Sequence, residues 1–299
     1  MTNESKENRP AFSVIIPTYN GKDLLEKHLP AVLKMMEPKD ELLIIDDASS
    51  DDTEEWFREW KQTLFQKEET SIPSIRYIQN ITNLRFAATV NKAVYQVTHD
   101  YFLLLNNDVA PSKKLLDTVW SFRQQQHEPE NIFAIGCKEI EGDDENVIGG
   151  RNLLWFERGM FIHSRHPEME SGETAWASGG SSVFDTKKWL EIGGFDRRFY
   201  PAYWEDIDLS VRAKKEDWKV LFCKEALVHH HHETTNATVF GQRKIALMSW
   251  KNAYIFAWQH MTKQQWVQHI LWMFYHQIIT GYKTKGLPTI ALFQAIFSN

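Results

Sequence analysis

Cysteine is almost absent from this sequence, since Cys137 and Cys223 are the only two among 299 residues. Both lie in apolar, strand-like contexts, so we expect a reducing compartment and no disulfide framework. Long apolar runs are also lacking, and none approaches the roughly 20 residues that a membrane-spanning helix needs. The N-terminal stretch MTNESKENRP is polar, so no secretory signal is expected.

Positive charge is in deficit, with a net charge of −6 from 34 basic and 40 acidic residues. Binding to nucleic-acid phosphates calls for a basic surface, so no nucleic-acid partner is expected. Hydrophobic residues make up 42% and charged residues 25%, which is ordinary for a soluble globular protein. The length fits about two domains or one large one.

The first third of the chain alternates short apolar runs with helical patterns, which is typical of βαβ units. Buried parallel strands are predicted at 12–16, 42–45, 75–78 and 101–105. Helices are predicted at 23–36, 52–65 and 86–97. Pro30 lies inside the first helical pattern, so we expect a kink or a late start there.

Beyond Asp108 the pattern becomes less regular. It predicts a helix at 112–126, a strand at 132–136, strand-rich structure at 151–184, helices at 186–192 and 205–216, and a strand at 219–223. From Phe240 on, large apolar residues recur at helical spacing and predict core-facing stripes. The stripes comprise Trp250, Tyr254, Trp258 and Met261, then Val267, Ile270, Leu271, Phe274 and Ile278. Trp266, Trp272, Lys283 and Lys285 on the other faces also fit helices that lie at a membrane surface.

Polar residues follow three of the predicted strands, in the stretches 17–20, 46–52 and 106–108. Ligands of open α/β sheets bind at the carboxyl ends of the strands, so a polar ligand site is expected there. The sequence contains neither GxGxxG nor GxxxxGK[ST], which argues against a Rossmann dinucleotide site and a P-loop. A pyrophosphate held without such loops usually needs a hard divalent cation on carboxylate oxygens.

The stretch YWEDIDLSVR places Glu205, Asp206 and Asp208 within four positions. Acidic residues favour a first helical turn because they complement the helix dipole. Asp208 and Arg212 have the spacing of an i, i+4 ion pair. Taken alone, the cluster indicates a helix start more readily than a catalytic site.

Seven ordered motifs together resemble the family 2 inverting glycosyltransferases with the GT-A fold, over roughly residues 12–232. They are VIIPTYNG, IIDDASSDDT, Asn83 with Asn91, LLLNNDV, SGGSSVF, GGFDRRFYPAYWEDIDLSVR and VHHHH. Each motif is weak alone, but their order and spacing make the match specific. The sequence looks most similar to bacterial rhamnosyl- and galactosyltransferase-like members that build surface polysaccharide. The resemblance implies an α/β fold with a Rossmann-like, mostly parallel sheet flanked by helices.

The resemblance also implies a donor site. Tyr19 and Asp47 would hold the nucleotide base, and Asp108, the last residue of the family's DxD motif, would bind a divalent metal, Mg²⁺ or Mn²⁺. Asn106 departs from the first Asp of that motif, and Arg85 stands where the family often has Gly. The full donor-binding set that is implied comprises Pro17, Tyr19, Asn20, Asp47, Asn83, Asn91, Asn106, Asn107 and Asp108.

In similar enzymes a histidine some two dozen positions after the base is the third metal ligand. His229 and His230 both fit, and we favour His229 because it directly follows the apolar pair 227–228. His231 and His232 are expected to be exposed loop residues.

Transfer with inversion needs one base that removes the proton from the acceptor hydroxyl. The family's ED motif supplies this base through its Asp, which matches Asp206, with Glu205 as an acceptor-side or structural neighbour. The acceptor-binding set implied by the resemblance comprises Trp176, Gly179, Gly180, Trp204 and Glu205.

The resemblance divides the chain into four segments. These are a disordered tail 1–11, a nucleotide-sugar-binding half 12–110, an acceptor-binding and catalytic half 111–239, and a C-terminal helical region 240–299. The expected reaction moves a sugar from a UDP- or dTDP-linked donor to a glycan or lipid-linked acceptor. We expect a cytoplasmic enzyme, with peripheral contact at the inner face of the membrane.

Two alternatives remain open from the sequence. A catalytically impaired sugar-nucleotide-binding protein is favoured by Asn106 and opposed by the presence of Asp108 and Asp206. A nucleotidyltransferase would share the α/β half, but it is expected to carry a Gly-rich basic loop that IPTYNGKDLL does not provide. The absence of membrane spans and of a QxxRW-like signature favours addition of one or a few sugars over processive synthesis.

Overall fold

A mixed β-sheet dominates the computed structural model, which describes residues 9–67, 72–141, 146–230 and 241–298. Its strands are β1 (Phe12–Thr18), β2 (Glu41–Asp46), β3 (Ser74–Gln79), β4 (Tyr101–Leu105), β5 (Val109–Pro111), β6 (Ile132–Glu141), β7 (Val147–Gly149), β10 (Gly172–Glu173), β11 (Ser181–Asp185) and β12 (Lys219–His230). A separate antiparallel hairpin consists of β8 (Asn152–Glu157) and β9 (Met160–Arg165). The predicted strands are therefore present, and β6 and β12 are longer than expected.

The strand order is β10-β12-β6-β11-β4-β1-β2-β3, with β5 paired to β12 and β7 paired to β6. Strands β1 to β4 are parallel neighbours, and β6 runs parallel to β12. Between these two groups lies β11, which is antiparallel to both β4 and β6. This arrangement confirms the predicted mostly parallel sheet. The sheet contains strands from both predicted halves of the chain.

The helices flank this sheet and then continue beyond it. They are α1 (Lys22–Met35), α2 (Thr53–Lys67), α3 (Arg85–Val94), α4 (Leu115–Gln124), α5 (Thr186–Glu191), α6 (Glu205–Lys215), α7 (Gln242–His260), α8 (Lys263–Tyr275) and α9 (Leu287–Ile296). Short 3₁₀ turns span Pro129–Asn131 and Arg197–Phe199. A π-helical turn, His276–Thr280, and the short turn Gly281–Lys283 connect α8 to α9. Pro30 lies inside α1, which begins at Lys22 and so has no late start.

Both faces of the sheet are buried, which explains why the strands read as continuous apolar runs. Val14 and Ile16 of β1 contribute to the core on the side of α1, α2 and α4. Ile15, which points to the opposite face because strand side chains alternate, joins the core that includes Val90 of α3 and Leu209 of α6.

A third core lies outside the sheet, where α7 packs against the β8–β9 hairpin and α9. Tyr254 and Phe256 are fully buried there, beside Met160, Trp204 and Ala291. The first predicted C-terminal stripe is thus confirmed as core-facing at Tyr254, with Trp250 and Trp258 packed partly buried against the same cluster.

The second predicted core stripe is wrong. Val267, Ile270, Leu271, Phe274 and Ile278 are 55–71% exposed. The opposite side of α8 faces the protein, and there His269 donates to the carbonyl oxygen of Gly159 at 2.7 Å while His276 donates to that of Arg158 at 2.8 Å. Apolar periodicity located the stripe but could not say which side of the helix meets the protein. Within the described residues, no helix is both long and apolar enough to cross a membrane.

The predicted disordered tail extends too far, because Arg9 is 4% exposed. Its guanidinium donates to both carboxylate oxygens of Asp40, at 2.8 and 2.7 Å, and to Asp117 at 3.0 Å. Asp40 also accepts from the backbone N–H of Phe12, so this ion pair fixes the start of β1. A polar composition concealed this, since a buried ion pair leaves no apolar signal in the sequence.

We predict that Arg9→Ala destabilises the fold by about 3–5 kcal/mol, because it leaves Asp40 buried without its counter-charge. Arg58→Ala is the matched control, since Arg58 forms an exposed i, i+4 pair with Glu54 and should cost only about 0.3–0.5 kcal/mol. Urea unfolding followed by circular dichroism measures both. Equal losses for the two variants would show that the Arg9 pair does not anchor β1.

Candidate active site

The loops after β1 and β2 are tied together at the carboxyl edge of the sheet. The backbone N–H of Asn20 donates to Ser49 Oγ at 2.8 Å, and the backbone N–H of Ser50 donates to Asn20 Oδ1 at 2.8 Å. Tyr19 is 49% exposed beside this junction, whereas Pro17 lies within β1 opposite Ile45. The junction therefore holds a tyrosine ring at the rim in a position open to a ligand.

The carboxylate of Asp47 organises the loop that leads into α3. One oxygen accepts from Asn80 Nδ2 at 2.8 Å, Thr89 Oγ1 at 2.7 Å and the backbone N–H of Leu84 at 2.7 Å. The other oxygen accepts from the backbone N–H of Arg85 at 2.7 Å. In this structure Asp47 thus holds the loop in place with both of its oxygens.

Arg85 adopts a left-handed backbone with φ 68°. Glycine adopts that region without strain, which gives a physical reason for the family's Gly at this place. The strained residue is held by its N–H, which also donates to Asn83 Oδ1 at 3.1 Å. Asn83 therefore lies at the same loop, next to Asp47.

Asn91 does not lie with the rim residues. Its side-chain Nδ2 donates to the carbonyl oxygen of Phe195 at 2.8 Å, and its Oδ1 accepts from the Phe195 N–H at 2.9 Å. The Phe195 ring in turn lies against Gly179. The structure gives Asn91 a bracing role between α3 and the loop after α5.

The segment after β4 connects the nucleotide side of the site to the turn before β11. Asn107 Nδ2 donates to Thr18 Oγ1 at 3.0 Å. The backbone N–H of Asn106 donates to the Gly180 carbonyl at 2.9 Å. A side chain at Gly180 would place its Cβ 2.5 Å from Asn106 Nδ2, so only glycine permits this close approach.

Asp108 follows directly and is 7% exposed. Its Oδ1 lies 3.2 Å from His230 Nε2, and His230 Nδ1 lies 3.6 Å from Glu139 Oε2. Burial opposes the charged imidazole, but the hydrogen bonds to Asp108 and Glu139 outweigh it and raise the pKa of His230 to about 9. Glu139 is shielded from water, which favours its neutral form, yet hydrogen bonds from His230 and Ser181 lower its pKa.

His230, and not the favoured His229, is the histidine that faces Asp108. Successive side chains of a strand point to opposite faces, so only one of the two neighbours in β12 can do so. His231 and His232 lie outside the described residues. Glu139 was missed by the sequence analysis because the predicted strand ended at 136, whereas β6 reaches Glu141. The rule that polar residues at strand ends form the site would have found it.

Asp108 and His230 supply a carboxylate and an imidazole, which are both metal-ligand types. Asp108 Oδ1 is buried, and within the protein it lies 3.2 Å from His230 Nε2. Over the part of the chain that the structure describes, no three acidic, His or Cys side chains are arranged to hold a metal alone. A cation here would need further ligands, such as diphosphate oxygens and water.

The carboxylates of the ED motif begin α6. Tyr203 and Trp204 precede them and have positive φ values of 78° and 77°. Trp204 is the N-cap residue of α6. Asp206 Oδ2 accepts from the backbone N–H of Gly179 at 3.3 Å, and its Oδ1 accepts from the Ile207 N–H at 2.8 Å. Asp206 is therefore aimed at the turn that also contacts Asn106, and it is partly exposed.

The two carboxyl groups differ in acidity. Burial, followed by the charge of Asp206, raises the pKa of Glu205 to about 8. Burial also raises the pKa of Asp206, but only to about 6, because the N–H groups of Gly179 and Ile207 favour its charged form. Asp206 therefore loses its proton at a lower pH than Glu205 and is the better candidate of the two to accept a proton.

Asp208 has the structural role that its spacing predicted, although it is fully buried. Its Oδ2 accepts from Arg212 Nε at 2.7 Å, and its Oδ1 lies 2.7 Å from His260 Nε2 at the end of α7. The helix pair therefore also joins α6 to α7.

The loop before the ED motif is held by α7, a contact that the sequence analysis missed. Asn252 is fully buried and its Nδ2 donates to the carbonyl oxygens of Phe199, Ala202 and Tyr203 at 2.9, 2.8 and 2.8 Å. Lys251 Nζ donates to the Tyr200 carbonyl at 2.6 Å. No sequence pattern marks such a contact, because its partners are backbone atoms about 50 positions away.

Aromatic rings lie beside this loop and the start of α6. His163 of β9 makes edge contacts with Trp176 at 5.5 Å and Trp204 at 4.9 Å between ring centroids. A cavity of about 180 Å³ opens next to them, lined also by Trp250 and His276. The predicted acceptor residues Trp176, Gly179, Gly180, Trp204 and Glu205 thus surround the start of α6.

A polar site lies at the carboxyl edge of the sheet, where the residues at the strand ends and the pair Asp108 and His230 are found. This is the arrangement of a GT-A glycosyltransferase. Residues 13–184 match the family described as Glycosyl transferase family 2. The chain belongs to this family, which confirms the resemblance found in the motifs.

Two bacterial rhamnosyltransferases are similar to most of this chain. The O-antigen chain rhamnosyltransferase WbaN of Salmonella anatum is 24% identical over 232 residues, which cover 76% of this chain and 68% of that protein. The N-acetylglucosaminyl-diphospho-decaprenol L-rhamnosyltransferase of Mycobacterium tuberculosis is 22% identical over 245 residues, which cover 73% of this chain and 75% of that protein.

Solved structures confirm the fold. Mannosyltransferase PcManGT from Pyrobaculum calidifontis, in complex with GDP-Man and Mn²⁺, matches with a TM-score of 0.60 at 13% identity, covering 98% of this chain and 77% of that one. S. aureus TarS 1-349 in complex with UDP-GlcNAc matches with a TM-score of 0.63 at 16% identity, covering 96% and 81%.

We predict that Asn252→Ala lowers kcat by up to about 100-fold, because loss of the three hydrogen bonds lets the ED motif move from its productive position. Donor binding should stay unchanged, since the hydrogen bonds of Asn252 Nδ2 go to the loop before the ED motif. Gln242→Ala, an exposed change in the first turn of α7, is the control. Single-turnover transfer and nucleotide binding by calorimetry separate the two effects. An unchanged kcat in a folded Asn252→Ala protein would assign Asn252 to stability only.

Proposed function

We propose that this protein is an inverting glycosyltransferase that moves a sugar from a nucleoside-diphosphate donor to a hydroxyl of a glycan or lipid-linked acceptor. The observation that carries the proposal is the position of Asp206, an ionised carboxylate next to the Gly179-Gly180 turn. Through Asn106 that turn contacts the segment that bears Asp108. The proposed base and the proposed diphosphate site therefore adjoin each other.

The proposed donor is UDP- or dTDP-linked. The exposed Tyr19 would contact the base, supported by the loops that Asn20 and Asp47 hold. Asn83, Asn106 and Asn107 would line the rest of the donor site. Rhamnosyltransferase relatives favour a deoxyhexose as the transferred sugar, and their O-antigen and decaprenol acceptors favour surface-polysaccharide synthesis.

The proposed reaction is a single displacement. The acceptor oxygen attacks the anomeric carbon, its proton passes to Asp206, and the bond from the sugar to the diphosphate breaks with inversion. Glu205, protonated at neutral pH, would donate a hydrogen bond to the acceptor. Trp176 and Trp204 would bound the space in which the acceptor lies.

We propose that Asp108 and His230 hold a divalent cation at the diphosphate. When bound, it would supply positive charge that stabilises the departing nucleoside diphosphate. Imidazole is a poor ligand for the hard Mg²⁺, so the pair favours Mn²⁺ over Mg²⁺. The Mn²⁺ in two structural neighbours supports this preference. Asn106 adds no charge, which predicts weaker metal binding than with Asp at that place.

We place the reaction on the cytoplasmic side of a membrane, where a lipid-linked acceptor would present its sugar.

Asp206→Asn should lower kcat by about 10²–10⁴-fold with donor binding retained, because the amide cannot take the acceptor proton. Asp208→Asn should lower stability before rate, since Asp208 bonds Arg212 and His260 instead of substrate. The comparison uses saturating donor, so that a binding loss is not mistaken for a chemical one. A near-normal kcat for Asp206→Asn would remove this residue from the mechanism.

The same base predicts the pH dependence of the wild-type enzyme. Because the reactive form is deprotonated and its pKa is raised to about 6, kcat/KM should fall as the pH drops through that value. An activity that persists unchanged down to the ordinary range of an aspartate would contradict the assignment.

His230→Ala should raise the Mn²⁺ concentration needed for activity, whereas His229→Ala should leave it close to wild type, because only His230 faces Asp108. Loss of one coordinating ligand or of its orientation typically costs about 10–100-fold in metal affinity. Excess chelator should abolish transfer, and added Mn²⁺ should restore it. Full activity in chelator, or an effect of His229→Ala alone, would overturn the proposed ligand pair.

A further inference from the structure

The C-terminal helices expose an apolar surface that the fold leaves uncovered. Val267, Ile270, Leu271, Phe274 and Ile278 follow helical spacing and are 60, 55, 68, 71 and 64% exposed. Ile290 and Phe293 of α9 and Phe297 directly after it add exposures of 41, 58 and 79%. We call these eight residues the C-terminal apolar face. Soluble monomers rarely expose so many large apolar side chains together, so the face marks an interaction surface.

Hydrogen bonds to the rest of the protein fix which side of α8 faces inward. His269 and His276, seven positions apart and therefore on one side of the helix, are both buried and bonded to carbonyl oxygens of the β8–β9 turn. Rotating the apolar stripe inward would break both hydrogen bonds and leave the carbonyl oxygens of Arg158 and Gly159 without these donors. The apolar side therefore faces away from the enzyme.

The charge of this region is of one sign. All 40 acidic residues lie before position 234, so residues 241–299 contain none. The same segment carries Arg243, Lys244, Lys251, Lys263, Lys283 and Lys285. Lys283 and Lys285 lie in the connection between α8 and α9, and Arg243 reaches the Lys285 carbonyl at 3.2 Å. Exposed basic residues thus adjoin the apolar face, although the whole chain is acidic.

We infer that the C-terminal apolar face docks on the surface of an anionic phospholipid bilayer. Apolar side chains would enter the boundary between headgroups and acyl chains, while the lysines would contact anionic headgroups. Trp266, Trp272 and Tyr282, which are exposed at 37, 37 and 90%, belong to the types that favour this interface. A second copy of the chain is a poorer occupant, because two faces without acidic residues would bring like charges together.

This inference does not depend on the chemistry at Asp206, and its test needs neither donor nor acceptor. The full-length protein is floated with vesicles of phosphatidylcholine alone or mixed with phosphatidylglycerol. We expect flotation with the anionic vesicles, weakened by salt, and little with the neutral ones.

Two pairs of variants with matched controls make the test specific. Leu271→Ser with Phe274→Ser should lower vesicle affinity at least about tenfold, while Ile81→Ser with Tyr95→Ser, which are exposed at 98 and 68% elsewhere, should not. Lys283→Glu with Lys285→Glu should lower it at least about tenfold, while Lys34→Glu with Lys113→Glu should not. Because all these side chains are exposed, unchanged thermal unfolding checks that folding is intact.

Three results would overturn the inference. The first is no flotation with any vesicle, and the second is equal flotation of wild type and the Leu271/Phe274 variant. The third is a dimer in sedimentation velocity that this variant abolishes without vesicle binding, which would make the face a contact between two copies.

Discussion

One close backbone contact joins the two parts of the candidate site. The Gly180 carbonyl accepts from the Asn106 N–H, and the absence of a side chain at Gly180 lets the Asn106 amide lie against it. On one side of this contact are Asp108 and the nucleotide rim, and on the other is Gly179, whose N–H binds Asp206. It exists because antiparallel β11 is inserted between β4 and β6, so that its start meets the end of β4.

Around that contact several carboxyl groups are buried or partly buried, and each has different neighbours. Asp108 and Glu139 both lie within 3.6 Å of the two nitrogens of the His230 ring. Two backbone N–H groups favour the charged form of Asp206, while burial raises the pKa of Glu205, whose Oε2 has no hydrogen-bond partner. Burying charge costs stability unless partners compensate it. These buried carboxyl groups are therefore expected to lower the stability of the fold at the candidate site.

The helix α7 contacts both the candidate site and the helix α9, which carries part of the C-terminal apolar face. Asn252 holds the carbonyl oxygens before the ED motif, and His260 binds Asp208 within α6. The same helix packs against α9, whose outer side belongs to the C-terminal apolar face. Helix α7 therefore contacts both α6, which bears the proposed base, and α9, which bears part of the proposed bilayer contact. A lipid-linked acceptor would then meet an enzyme already oriented toward it.

The sequence alone determined the βαβ pattern and the family, because these depend on local periodicity and on the order of short motifs. Strand ends predicted the positions of Tyr19, Asp47 and Asp108, and the i, i+4 spacing predicted the Asp208–Arg212 pair. The tertiary structure decided what depends on distant partners. It showed that Arg9 is buried against Asp40, that Asn91 braces Phe195, and that Asn252 holds a loop about 50 positions away. It also distinguished His230 from His229, and it placed the stripe at Val267–Ile278 outside the core. Periodicity reports that a helix has an apolar side, whereas only packing decides whether that side meets protein or solvent.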